Sequence, residues 1–269
     1  METTQKTNGF SLIELVIVIV LLSVVTLTVT TIFTDTTENY LQSEERLSMA
    51  SSSRLAVERI SREIREAMPN SVRVSSNNLC VEFVPILAAT QYETLPTSTA
   101  DTSLRIIEAD ASTELSGLST SSLFVMVIPL NSSEVYDTSS GHVATVSAFS
   151  KLGSNITEVT ISSTQFLRES PQRRIFFVSE PVSFCVDGSN LNRYESYGFS
   201  LSQPFPSAMG AANLIINKVL SSNNGNPVSV FTYSSGALNR SGILLMNLLF
   251  QGRNEVIQLD HEVHIRNFP

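Results

Sequence analysis

The feature that most constrains this chain is an uninterrupted apolar run close to its start. From Phe10 to Thr34 the only ionisable side chain is Glu14, and Leu15 through Thr34 is an uncharged stretch of 20 residues. Roughly 20 residues, at about 1.5 Å rise each, cross the hydrocarbon core of a bilayer as a helix. A carboxylate one turn inside such a helix costs about 3 kcal/mol near the bilayer centre, so something has to offset it. An ordinary secretory signal needs only about 7–15 apolar residues and then a small-x-small cleavage site. This run is far longer and ends in Ile32-Phe33-Thr34-Asp35. A plain single-pass anchor fits the length but leaves Glu14 unexplained.

The residues Gly9-Phe10-Ser11-Leu12-Ile13-Glu14 resemble the leader junction of type IV prepilins. The resemblance implies cleavage after Gly9 by a prepilin peptidase, methylation of the new N-terminus at Phe10, and a filament-assembly role for Glu14. Residue chemistry agrees with those roles. Glycine gives a protease an unobstructed backbone, and Glu14 lies at the positive end of the helix dipole. Once the chain is cut, the Phe10 amine is a cation one helical turn from Glu14. In the family picture, Glu14 of one subunit neutralises the Phe10 amine of a neighbour inside an apolar helical bundle. An unpaired charge is heavily penalised there, so the pair sets register.

Composition narrows the rest. The chain has 269 residues and a formal charge of −8, which argues against a nucleic-acid partner, since phosphate recognition needs a basic face. Beyond residue 34, about 235 residues remain, enough for one sizeable domain or two small ones. Cys80 and Cys185 are the two cysteines, each inside an apolar, strand-like segment. In an oxidising compartment outside the cytoplasmic membrane the simplest expectation is one disulfide between them.

No Gly or Pro occurs between Phe10 and Met68, which predicts one helix over 10–68, ended by Pro69. Val57, Ile60, Ile64 and Ala67/Met68 recur at helical spacing. The Glu and Arg residues between them read as a solvated face. The Ser/Thr-rich tract from Thr34 to Ser53 reads as a frayed or bent joint, and the β-branched run Thr26–Thr31 is a weak helix former.

After Pro69 short apolar runs alternate with polar, Gly and Pro punctuation, a β pattern. Strands are expected at 79–84, 123–128, 174–179, 182–187, 228–233, 243–250 and 255–266, the last two joined as a hairpin through Gln251-Gly252-Arg253-Asn254. The Thr/Ser/Ala-rich stretch 88–122 reads as an exposed insertion or mobile loop. Residues 197–227 form a second loop-rich region, with a short helix or strand at Asn213–Leu220.

The predicted fold class is therefore α+β: a long N-terminal transmembrane and amphipathic helix packed on a C-terminal β-rich globular head, pilin-like. The expected organisation is a leader at 1–9, a transmembrane half-helix at 10–34, an amphipathic half-helix at 35–68 and a periplasmic or extracellular domain at 69–269.

Catalytic chemistry is hard to find. His261 and His264 point to opposite faces of a strand, so they cannot share a metal. His142, beside Gly141, reads as a turn residue. Asp187-Gly188-Ser189-Asn190 lacks the distal glutamate of a calcium loop and reads as a turn. The sequon Asn155-Ile156-Thr157 carries no weight in a protein exported by a bacterial route. There is no hydrolase elbow, phosphate loop or dinucleotide fingerprint, so no enzyme, cofactor or metal is expected.

Further stretches, Arg59–Arg73, Cys80–Ile86, Phe176–Cys185 and His261–Pro269, resemble the large minor pilins of the mannose-sensitive haemagglutinin (MSHA) type IV pilus. This implies a low-abundance, non-enzymatic subunit that helps initiate, cap or decorate a pilus used for surface attachment. Its partners would be other pilins through the N-terminal helix, prepilin peptidase, the inner membrane and the pilus assembly platform. It would reside in the bacterial inner membrane with its head in the periplasm, then in the pilus. The neighbouring alternatives are a minor pseudopilin of a type II secretion system and a pilus-tip adhesin head that binds a glycan.

Overall fold

The computed structural model describes residues 9, 11–107, 115–153, 155–236, 241–252 and 255–265. The chain divides into two units, Met1–Ser51 and Ser52–Pro269. One helix, α1 (Leu12–Arg65), begins in the first unit and ends in the second. It is helical throughout Thr34–Ser53, so the fraying expected there does not occur. Hydroxyls there bond back to their own helix, as Thr36 does to Ile32 O (2.6 Å) and Thr37 to Phe33 O (2.8 Å), so they do not draw backbone groups into a non-helical turn.

Within the second unit the last turns of α1 bury Ala56, Val57, Ile60 and Ile64, the stripe legible in the sequence. Glu63 is not simply solvated, because Arg193 donates to it at 2.9 Å. The helix stops at Arg65, three residues before Met68. The Met68 N–H is taken instead by the Val84 carbonyl at 2.7 Å, and Pro69 cannot continue the ladder.

Thereafter the chain is almost entirely β. In order come β1 (Arg73–Val74), β2 (Cys80–Phe83), β3 (Ile86–Thr94), β4 (Asp101–Ile107), β5 (Phe124–Met126), β6 (Val143–Lys151), β7 (Ile156–Thr164), β8 (Arg174–Val178), β9 (Val182–Asp187), β10 (Asn190–Tyr194) and β11 (Asn213–Asn217). They are followed by β12 (Ser222–Asn223), β13 (Asn226–Pro227), β14 (Phe231–Ser234), β15 (Gly242–Gln251) and β16 (Val256–Ile265). A short helix, α2 (Ser132–Tyr136), lies between β5 and β6. The fold is α+β and pilin-like: one long apolar N-terminal helix followed by a β-rich domain.

Four assemblies organise the strands, the smallest being the two-stranded ribbon β12–β13. A five-stranded antiparallel sheet has the order β1-β2-β9-β10-β11, and a three-stranded sheet the order β14-β15-β16. Between β2 and β9 the chain leaves the first sheet and builds a closed six-stranded barrel, β3-β4-β7-β6-β5-β8. Closure leaves the barrel no exposed edge. Its interior is filled by side chains such as Leu104, Val125, Val159, Ile161 and Phe177. The feet of the insertion are adjacent, because Ser179 N–H donates to Pro85 O at 3.3 Å.

The barrel overturns one expectation. The stretch 88–122 is not an insertion loop, since it supplies most of β3, all of β4 and the approach to β5; Glu108, Asp110 and Glu114 within it lie outside the described residues. The strands are hard to see because their inward positions include small residues such as Ala88. The apolar stripe of each stave is thin. The Thr-rich outward positions are normal for strands. The hairpin β15–β16 forms as expected, with Val263 and Ile265 buried, and its link is 252–255 because Gln251 pairs with Val256; Arg253, Asn254 and Arg266 lie outside the described residues.

Sheet and barrel share a core in which Met68 and Val84 meet Met126, Val135, Phe176 and Val178. They also share a polar cluster. Glu82 of β2 is fully buried and accepts from Arg73 Nε and, at 3.0 Å, from the Tyr197 hydroxyl. The Arg73 guanidinium stacks 3.5 Å over the ring of Tyr136 in α2, and the Tyr136 hydroxyl donates to Ser71 O at 2.8 Å. Burial raises the Glu82 pKa above the usual carboxylate range, with Arg73 pulling against it.

Cys80 and Cys185 stand opposite one another in the β2–β9 ladder and are joined as a disulfide. It lies in a small cluster with Tyr194 and Met209, at the root of the barrel insertion.

Candidate processing and assembly segment

The N-terminal segment is built from its own local chemistry. Ser11 caps α1: the Glu14 N–H donates to Ser11 Oγ at 3.3 Å and to Ser11 O at 3.1 Å. Glu14 is the third helical residue after the cap. Ser11-Leu12-Ile13-Glu14 is thus the Ser-x-x-Glu pattern of a capping box, a signal present in the sequence and absent from the reading above. Glu14 accordingly has a local duty, facing the positive end of the helix dipole, beside any intermolecular one.

A side chain built on Gly9 meets nothing within 4 Å. The fold itself places no steric demand for glycine at that position. Phe10, the expected site of cleavage and methylation, lies outside the described residues.

Beyond the first turn, every Leu, Ile, Val and Phe from Leu12 to Phe33 is exposed, from 44% at Val18 to 83% at Leu12. The helix carries an 18-residue window of mean hydropathy 2.9, none of it buried. Such a surface needs lipid or neighbouring helices over it. The polar groups on it are already satisfied. Ser23, Thr26, Thr28, Thr30, Thr31 and Thr34 each donate to a backbone carbonyl three or four residues earlier, at 2.7–2.9 Å. The β-branched run Thr26–Thr31 therefore enters an apolar medium with no unpaired hydroxyl.

The other polar residues singled out in the sequence are not brought together. His264 faces Glu262 at 3.1 Å on the outer side of β16, with His261 on the opposite face. Asp187 and Asn190 pair across the β9–β10 turn, where Gly188 has φ +61°. His142 is a buried residue rather than a surface turn: its Nδ1 is 3.3 Å from Val127 O and its Nε2 3.5 Å from Glu134. The neighbouring Gly141 is required, since at φ +70° a Cβ would meet Gln165 O and Leu167 at 2.9 Å. Glu134 also receives two bonds from Arg168, at 2.7 and 3.0 Å. Arg168, then the Leu130 N–H and the charge of His142, lower its pKa to about 2 against the opposing pull of burial. The cluster ties α2 to the strand ends of the barrel and has the character of a structural brace.

Residues 4–30 match the family model described as the prokaryotic N-terminal methylation motif. No curated protein and no solved structure matches the chain. The motif supports a type IV pilin-like prepilin: a filament subunit of the pilin or pseudopilin kind, a structural component that assembles with other pilins and is processed by prepilin peptidase. The apolar helix fits membrane anchorage of such a subunit.

Proposed function

We propose that the chain is a minor type IV pilin of an MSHA-type pilus, similar to the pilus biogenesis protein MshO. On this reading residues 1–9 are a cytoplasmic leader removed between Gly9 and Phe10, and Phe10 is then N-methylated. Residues 10–34 hold the subunit in the inner membrane. Residues 35–68 continue the helix outward, and 69–269 form the periplasmic head until the pilus assembly platform adds the subunit to a filament. It helps initiate, cap or decorate a pilus used for surface attachment. The observation that carries the reading is the junction Gly9-Phe10 followed by Glu14 at the mouth of an uncovered apolar helix.

Glu14 supplies the test. Glu14→Val is expected to leave membrane insertion intact and to reduce the amount of subunit in sheared filaments at least tenfold. Glu14→Gln keeps an acceptor for the capping box and loses the charge. It is expected to behave like the valine variant, because neutralising a neighbour's Phe10 amine requires the carboxylate. Normal incorporation of either variant, quantified by immunoblot of the sheared fraction, removes the Glu14 charge from assembly.

A further inference from the structure

The outermost strand of the three-stranded sheet, β16, is ten residues long, pairs with β15 without a register break, and has no strand on its other side among the described residues. An exposed edge is a template for an added strand unless it is short, bulged, covered or charged. The charge on β16, Asp260 and Glu262, disfavours acidic or identical strands while admitting a basic one. Beside this edge lies a cleft of about 450 Å³, lined among others by Leu245, Asn247, Asp260 and Glu262. In the β15–β16 ladder Asn247 stands opposite Asp260, and Leu245 opposite Glu262. These four side chains therefore share one face of the sheet.

The charged groups of that face are two carboxylates. Among the described residues, Asp260 accepts from the amide of Gln258, at 3.0 Å, and Glu262 lies 3.1 Å from His264. The Oδ1 of Asn247 is buried and has no hydrogen-bond partner. Folded proteins rarely leave such an oxygen unpaired, and Asn247 is one of the residues lining the cleft. Leu245, 47% exposed, offers an apolar surface for the methylene stem of a long side chain.

We propose that β16 takes up an extended basic segment of another polypeptide, with a Lys or Arg side chain seated in the cleft against Asn247, Asp260 and Glu262. A second copy of β16 is a poor occupant. Antiparallel pairing centred on His261 sets Asp260 against Glu262, and like charges directly opposite are destabilising. The proposal goes beyond the filament reading and does not rest on it, since peptide binding is read without processing or assembly.

The test uses the full chain in nonionic detergent and a capped nine-residue peptide of alternating lysine and valine. A peptide with glutamate in place of lysine is the control. Titration calorimetry is expected to show saturable binding by the lysine peptide and at least tenfold weaker binding by the glutamate peptide. Amide exchange is expected to slow within 256–265. Asp260→Asn with Glu262→Gln should weaken binding at least tenfold. Asn247→Leu should weaken it at least threefold without lowering the melting temperature, because the leucine removes an unpaired buried oxygen. Absence of binding, equal binding of the two peptides, or protection confined to other strands overturns the proposal. So does protection of 256–265 that grows with protein concentration alone, which assigns the edge to a second copy of this chain.

Discussion

Replacing Cys80 and Cys185 together by alanine is expected to lower the melting temperature of the unit Ser52–Pro269 by roughly 9–19 °C. The two cysteines are 105 residues apart, and the loop they close contains the whole barrel, β3 to β8. In the chain-entropy account a loop of about 100 residues contributes about 4.7 kcal/mol by restricting the unfolded chain. For a domain of this size each kcal/mol moves the midpoint by about 2–4 °C. Alanine avoids burying a hydroxyl in the Tyr194–Met209 cluster, so the shift reports the lost crosslink. Calorimetry of the full chain in detergent checks this. A shift below about 3 °C would mean that the clamp at the barrel root does not restrict the unfolded state.

Arg73→Met is expected to cost about 3–5 kcal/mol at pH 7, the usual penalty for removing one partner of a buried ion pair. Glu82 would then lie fully buried with only the Tyr197 hydroxyl beside it, and Tyr136 would lose the guanidinium stacked on its ring. The deficit has a pH signature. Burial already raises the Glu82 pKa, so its contribution is present below the unfolded value of about 4.5 and is lost as pH rises through the folded value. Without Arg73 that folded value rises further. The variant's deficit should therefore shrink as pH is lowered from 7 toward 4.5 and Glu82 takes a proton. Glu82→Gln in the same background should recover part of the loss at pH 7. Denaturant unfolding at the two pH values measures both effects, and a deficit independent of pH would show that the cost is lost packing alone.

The legible parts of this fold are those where one residue pattern serves one environment. The helix stripe Val57, Ile60, Ile64 and the alternating strand β16 each face a single core, so the 3.6 and 2.0 periods stand out. The cysteines sit in continuous apolar runs because β2 and β9 are central strands buried on both faces. The barrel was hidden for the opposite reason. Its six staves divide one interior among themselves, and closure by pairing of β5 and β3 with β8 is a long-range event that no local window contains. β7 did carry a signal, since Val159 and Ile161 alternate with Thr160 and Ser162, but its Thr-rich outward positions kept it out of the expected strands.

The proposed processing segment shows the same division. Roles for Gly9, Phe10 and Glu14 can be proposed from sequence because the chemistry of the junction is local. The Ser11–Glu14 cap, in which the Glu14 N–H donates to Ser11 Oγ, is equally local. The sheet–barrel brace of Arg73, Glu82, Tyr136 and Tyr197 was not readable, since it joins residues up to 115 positions apart. The same holds for Glu134 and Arg168, 34 apart, whose pairing depends on α2 being folded against the barrel.

The most direct test of the central claim is intact-terminus mass spectrometry of the chain extracted from the membranes of its own host. The expected result is a mature chain that begins at Phe10 and carries one N-methyl group, with Met1–Gly9 absent. A chain that retains Met1–Gly9 would contradict the prepilin account and leave α1 an ordinary membrane anchor.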